Sequence, residues 1–431
     1  MTLTSHMRLA CAWLWLAPIA AVADTPGEAD RATAEAALEA AAADTASETA
    51  ETDEDAFDEE GEAPGAKAHG GPGIGFASGD GRFALAAWLR AQLRLSDPFD
   101  ADPLSAAAFA APPGSDFELR RSRVKVKGHL FDPRVGFYYE HELGGDHPLL
   151  DLRLHVVLRE DLQVRLGQYK VLYNRERVDS SGKQTFVERS IATYAFTLDR
   201  QRGVTVGKHW GAGSAFDHWL LVGVMEGDGR DPGRRGDGLM WLARWQWNLF
   251  GRPTPFSQSD IALSEEPSAA LSFAGARVRG PYTRFSSSGG GQLDGFEAGG
   301  DERYTLEQGL QEFAYRHGGF SVQQEYHRKR ITDHEGGRRS TLSGGYLSVG
   351  QAWAVPGAGQ AVWELAARVA RVDWDGTPRD RRQDEFTVGA NLFLDGHDHK
   401  FTADVSRLSL REDGAGTVRD TRFRLQWDLS F

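Results

Sequence analysis

The sequence has 431 residues, 62 acids against 49 bases, a formal charge of −13 and one cysteine. Beyond the N-terminal apolar run, no stretch offers the roughly 18 or more apolar residues that a spanning helix requires. These values exclude a polytopic helical membrane protein and a disulfide scaffold, and leave a closed barrel of strands as the chain's only route across a membrane.

The N-terminus reads as an export signal over residues 1–23. Arg8 supplies the charged region, Leu9–Ala20 the apolar region and Ala21-Val22-Ala23 an A-x-A cleavage site. Cys11 lies inside that signal, so the mature chain carries no thiol, as suits a bacterial envelope. Residues 24–79 form an acidic, Ala-rich extension. Within 24–70 there are 15 acids against Arg31 and Lys67, which accounts for the whole charge excess and leaves the body balanced. Such a composition cannot bury enough apolar surface to offset its ordering entropy, so a disordered periplasmic extension is expected.

From residue 80 to 431 the pattern changes to period-two alternation broken by polar, Gly-rich stretches. Strands are predicted at 83–95, 117–130, 134–143, 149–158, 161–170, 201–209, 215–225 and 238–249. The second half adds 269–278, 304–316, 320–330, 341–354, 361–373, 384–394, 399–410 and 422–431. That is about 16, an even number, as bacterial barrels need. The last is the clearest: Phe423, Leu425, Trp427, Leu429 and Phe431 alternate with Arg424, Gln426, Asp428 and Ser430. Aromatics at both ends of an apolar band suit the two membrane interfaces. The connections alternate too. Ser96–Asp116, Val171–Arg200 and Arg279–Arg303 are long, whereas Asp132-Pro133, Glu160 and His317–Gly319 are short. Phe250–Ser268 breaks the alternation, being long where a short turn is expected, and Gly145–His147 is short where a long loop is expected.

The second strand, FELRRSRVKVKGHL, sets Arg121, Arg123, Lys125, Lys127 and His129 on one face. An unpaired charge costs several kcal/mol or more in a dry environment, so this face must meet water, here the lumen. Arg90 shares the wet face of the first strand with Trp88, Gln92 and Arg94. The long third loop, Val171–Arg200, if folded inward, adds Arg175, Arg177, Lys183, Arg189 and Arg200. Rings of Arg and Lys are the usual device of anion-conducting pores. Glu140, Glu142 and Asp151 on the next two strands can pair with the basic row and weaken its field. Enzyme and metal signals are poor. Asp395–His399 reads as a solvated turn and Asp228–Asp237 as a surface loop without calcium-loop spacing. Gly289–Gly291 and Gly299-Gly300 have no helix after them, so a phosphate-loop reading fails on context.

Several stretches resemble the phosphate-selective porin O and P family of bacterial outer-membrane channels. Arg120-Arg121-Ser122-Arg123 resembles its second-strand double-arginine motif, and Leu162–Ser190 its strand and constriction-loop signature. Phe320–Arg330, Trp363–Trp374, Phe386–Leu394 and the closing Phe431 are similar to its later strands. The resemblance implies a 16-stranded barrel, a homotrimer, and passive diffusion with phosphate or polyphosphate bound in an Arg- and Lys-lined constriction. By motif position it gives that role to Arg120 and Arg121, with Arg177 and Lys183 as neighbours. Strict alternation puts Arg120 on the face opposite Arg121. One departure stands out: where phosphate-binding members begin the first strand Gly-Gly-Arg, this chain reads Ala86-Ala87-Trp88.

The expectation is an all-β transmembrane antiparallel barrel with an inward-folded constriction loop. It would act as a bacterial outer-membrane porin for small anions, surrounded by outer-membrane lipid. No cofactor, metal, catalysis or nucleic-acid partner is expected. The anion site would draw on Arg90, Arg120, Arg121, Arg123, Lys125, Lys127, Arg175, Arg177, Lys183 and Arg189. A general, weakly selective porin stays open as an alternative, as does a barrel hydrolase, which would need a tight catalytic cluster.

Overall fold

A computed structural model describes residues 73–109, 114–144, 148–230, 238–285, 291–297, 299–300, 302–414 and 416–431. The expected signal peptide, the acidic extension up to residue 72 and most of the Asp228–Asp237 loop lie outside the described residues, as do Gly289 and Gly290.

Seventeen strands occur among the described residues. They begin with β1 (Ile74–Ala77), β2 (Phe83–Asp97), β3 (Asp116–Leu130), β4 (Asp132–Glu142), β5 (Leu149–Arg159) and β6 (Leu162–Lys170). Next come β7 (Arg200–Trp210), β8 (Asp217–Met225), β9 (Met240–Asn248), β10 (Ser268–Gly280), β11 (Tyr304–His317) and β12 (Phe320–Asp333). The chain closes with β13 (Arg339–Ala354), β14 (Val362–Asp375), β15 (Arg381–Asp395), β16 (His399–Glu412) and β17 (Gly416–Ser430). Among the described residues three short helices, α1 (Ala106–Phe109), α2 (Arg175–Val178) and α3 (Ala192–Phe196), sit in loops.

From β2 to β17 each strand pairs antiparallel with the next, and β17 pairs back onto β2 from Phe423↔Asp97 to Ser430↔Arg90. The result is a closed 16-stranded barrel. All sixteen predicted strands are present. They form because each has one greasy and one wet face: in β14, Trp363, Leu365 and Val369 are exposed outward while Glu364 and Arg368 are buried inward. Closure leaves no unpaired backbone in lipid. Aromatic pairs, Trp353 with Trp363 and Phe401 with Trp427, girdle the short-turn end.

Two features depart from the sequence reading. β1 lies within the stretch expected to precede the barrel. It pairs with Ala84–Ala87 of β2, just beyond the point where β17 ends and Phe431 exchanges backbone hydrogen bonds with Leu89. The second is a bulge in β3. Gln92 faces Arg121 and Leu93 faces Leu119, so Arg120 is an extra residue with no partner in β2. The expectation that Arg120 points away from the lumen is therefore corrected. The bulge lets Arg120 follow Arg121 inward, and its guanidinium lies 3.5 Å from Glu118 and 3.8 Å from Asp100.

Candidate functional site

The third loop, 171–199, does not project from the barrel; it lies inside. Its apolar side chains Tyr173, Val178, Phe186, Val187, Ile191 and Phe196 are all buried. Four wall carboxylates seat it by accepting its backbone N–H groups. Glu325 accepts from Glu176 N at 2.7 Å and also from the Asn174 side chain at 3.0 Å. Glu312 accepts from Arg175 N at 3.1 Å. Asp404 and Glu385 accept from Val187 N and Ile191 N, each at 3.0 Å. An irregular segment has N–H groups with no ladder to join, and a buried unmet donor is costly. The acids of β11, β12, β15 and β16 meet that need, which fixes the loop against this part of the wall.

The long connection 249–267 enters from the opposite end and meets the loop. Arg175 donates to Thr254 O at 3.1 Å and Pro255 O at 2.7 Å, with its guanidinium 4.5 Å from the Phe256 ring centre. Thr185 N donates to Gln258 at 3.0 Å, and Thr185 Oγ1 lies 2.8 Å from Ser259 Oγ. Ser259 in turn donates to Glu364 of β14 at 2.8 Å. The exception to the loop-length alternation is thus a second insertion, filling the lumen on the short-turn side.

On its other side the loop faces β2–β4. Its tip docks where Arg90 donates to Ser181 Oγ at 3.1 Å and Gln92 donates to Ser181 O at 3.0 Å. The approach is close: a Cβ at Gly182 would lie 2.7 Å from the Arg90 guanidinium carbon, so a larger residue there would push that side chain aside. Glu188 then bridges Arg94 at 3.1 Å and Arg121 at 3.0 Å. Burial alone would raise the Glu188 carboxyl, but Arg121, Arg94 and other guanidiniums outweigh it and hold the group well below the usual carboxylate range.

The ten residues expected at the site divide into two groups. Partly open side chains belong to Arg120 (39% exposed), Arg121 (13%), Arg123 (11%) and Arg177 (12%), with Lys127 and Lys183 also intermediate. Arg90, Lys125, Arg175 and Arg189 are buried. Arg90 pairs with Asp428 at 2.9 Å, and Arg189 stitches the loop to itself through Glu176 O at 2.7 Å and Asp179 O at 2.6 Å. Arg175 pairs with Glu312 on the far side of the loop. Arg123 is held at 2.7 Å by both Glu140 and Glu142, and Arg177 pairs with Asp199. Trp88, standing where phosphate-binding members carry arginine, has the ammoniums of Lys125 and Lys127 5.7 and 5.6 Å from its ring centre. An aromatic face there attracts two lysines that a third cation would repel.

The sequence reading of the site lacked three members. Asp100 accepts from Arg94 at 3.0 Å and from Ser96 at 2.9 Å, placing the first loop at the mouth. Arg94 and Glu188 complete the bridge. Glu188 lies within Leu162–Ser190, where nothing in the sequence sets this carboxylate apart from the loop's other charges. Among the described residues no cluster of His, Cys, Asp and Glu is arranged to hold a metal ion.

A family model described as phosphate-selective porin O and P matches residues 99–426. No curated protein matches the sequence. The outer-membrane channel DcaP of Acinetobacter baumannii is similar in structure, with TM-score 0.51 and 10% identity over 83% of this chain and 100% of that one. An anion-selective porin from Comamonas acidovorans gives 0.50 and 13% over 81% and 100%. A loop L8 deletion mutant of OmpT, an outer membrane protein of Vibrio cholerae, gives 0.50 and 11% over 81% and 100%. At these identities the likeness is one of fold.

Proposed function

The chain belongs to the phosphate-selective porin O and P family and is an outer-membrane porin, and from that premise we propose that it passes small anions, phosphate or polyphosphate among them, as a homotrimer. The observation that carries the proposal is the charge around the part of the lumen the two insertions leave open. Arg120, Arg121, Arg123, Lys127, Arg177 and Lys183 are partly open there, against the carboxylates of Asp100, Asp102, Glu118, Glu142 and Glu188. Six cations facing five acids leave a small cationic excess, which favours anions in a poorly screened passage. Planar guanidiniums suit phosphate oxygens in particular.

A weakly selective pore is the second reading. It draws on the pairing of Arg123 with Glu140 and Glu142 and of Arg121 with Glu188, which ties up two of the cations. Reversal potentials across a planar bilayer in a KCl gradient distinguish the two. The proposal expects a chloride-directed reversal potential and a chloride current blocked by added phosphate, the block being weaker in Arg121→Ala. Cation preference would refute it, and an unchanged block would remove Arg121 from the phosphate site.

A further inference from the structure

The outer wall of β9–β12 carries a groove of about 570 Å³ that faces away from the lumen. Two adjacent register rows build it. In one row Trp241, Arg277, Glu307 and Arg330 stand side by side on four strands. In the next, Ala243, Gly275, Gly309 and Arg328 do so. Their sequence neighbours Leu242, Leu306 and Lys329 are buried inward, so both rows point out.

Neither glycine answers a need of the protein itself. Neither has a positive φ, and the β10–β11 register runs through both without a shift. A Cβ on Gly309 would meet nothing within 4 Å, and one on Gly275 would make only ordinary contact with Gln308 O at 3.7 Å. Glycine within an element is about 0.5–1 kcal/mol less favourable than alanine. In a strand it marks a bulge, a bend or the close approach of another molecule. The unbroken register leaves no bulge here, and two facing glycines over an outward trough lined by arginines fit the close approach of another molecule.

Charge and depth identify what approaches. Arg277, Arg328 and Arg330 face a single acid, Glu307, which lies 3.9 Å from Arg277 and 3.3 Å from Arg330. The Arg277 and Arg330 side chains are 71% and 56% exposed. An arginine on a lipid-facing wall costs about 2–4 kcal/mol at the bilayer midplane and about 0–1 kcal/mol near an interface. Arg277 and Arg330 each stand three residues before the long-loop ends of β10 and β12, at Gly280 and Asp333. That is about 10 Å along the strand. Toward the short-turn end the outward rows become more apolar, with Phe273 and Tyr326 next, then Leu271, Phe313 and Leu347. The groove therefore sits where acyl chains give way to head groups.

We propose that this groove binds an anionic phospholipid or phosphorylated glycolipid of the long-loop leaflet: the three guanidiniums hold its phosphate, and the trough over Gly275 and Gly309 seats the start of its acyl chain beside Trp241. Basic pockets at head-group depth recognise such lipids through charge-assisted hydrogen bonds. The site is independent of which ions cross the lumen.

The test uses the full chain in nonionic detergent, titrated with lipid A, phosphatidylcholine or inorganic phosphate, with bound lipid counted by native mass spectrometry. Lipid A is expected to bind and phosphatidylcholine not. The double variant Arg328→Ala/Arg330→Ala and the filling variant Gly309→Leu should each weaken lipid A about tenfold or more. Heat-modifiable mobility confirms folding, which the open space at Gly309 permits, and single-channel conductance should be unaltered because every substituted side chain faces outward. Equal lipid A affinity in both variants overturns the proposal. So does protection of the folded barrel by inorganic phosphate alone, which would indicate a free-phosphate site. A change in the number of chains per particle in Gly309→Leu, with lipid A binding intact, would instead make the groove a contact between copies.

Discussion

Glu188 lies between Arg94 and Arg121, and its ionisation sets how much of the basic row a passing ion meets. Glu188→Gln should release both guanidiniums and shift the reversal potential further toward chloride, while Arg121→Ala leaves the acid underneutralised and shifts it the other way. Shifts of the same sign would show that the bridge does not govern selectivity. The pH dependence follows from the lowered carboxyl. A depressed pKa means the bridge contributes fully above the ordinary glutamate value of about 4.3 and is lost only as pH falls through the lower folded value. The Glu188 contribution to selectivity should therefore be flat from neutral pH to about 4.5. In Arg121→Ala the carboxyl loses its strongest neutralising partner, and anion preference should rise as acid protonates it. Reversal potentials over that range check both statements.

Elements differ in how plainly the sequence displays them. Every strand of the closed barrel could be read because lipid on one side and water on the other impose a period of two. The phase of that period also held information that simple alternation missed. Phe117 and Leu119 face out on odd numbers, whereas Val124 and Val126 face out on even ones, and the change falls at Arg120-Arg121. The seating of the third loop was not legible, because the acids that hold it bond to backbone N–H groups, which carry no residue code. Glu312 looks like one more lumen charge in the sequence, yet it joins Arg175 and Arg244 and accepts from a loop N–H. Removing one member of a buried ion network costs about 3–5 kcal/mol. Glu312→Leu should accordingly lower the midpoint of heat modification and give larger, noisier conductance steps. Unchanged values would mean the loop is held elsewhere.

The lumen takes in chain from both ends, the third loop entering from one and residues 249–267 from the other, and the proposed ion path runs past the partly open cations of β3. Phe256, buried under Arg175, is the apolar wedge of the second insertion. Phe256→Ala should raise single-channel conductance while leaving the sign of selectivity unaltered, since the charged residues facing the open lumen lie elsewhere. A reversed sign in bilayer recordings would place the ion path on the other side of the loop. Closure also limits how the chain can be edited. In a ring of strands paired on both edges, losing one link from a strand ordinarily turns everything on one side of the cut inside out. Arg120 is different, since Leu119 and Arg121 already face adjacent residues of β2 without it. Excising Arg120 outright should subtract one cation from the mouth and leave the orientation of every other side chain as it was. The same excision at Val124 should abolish the folded barrel.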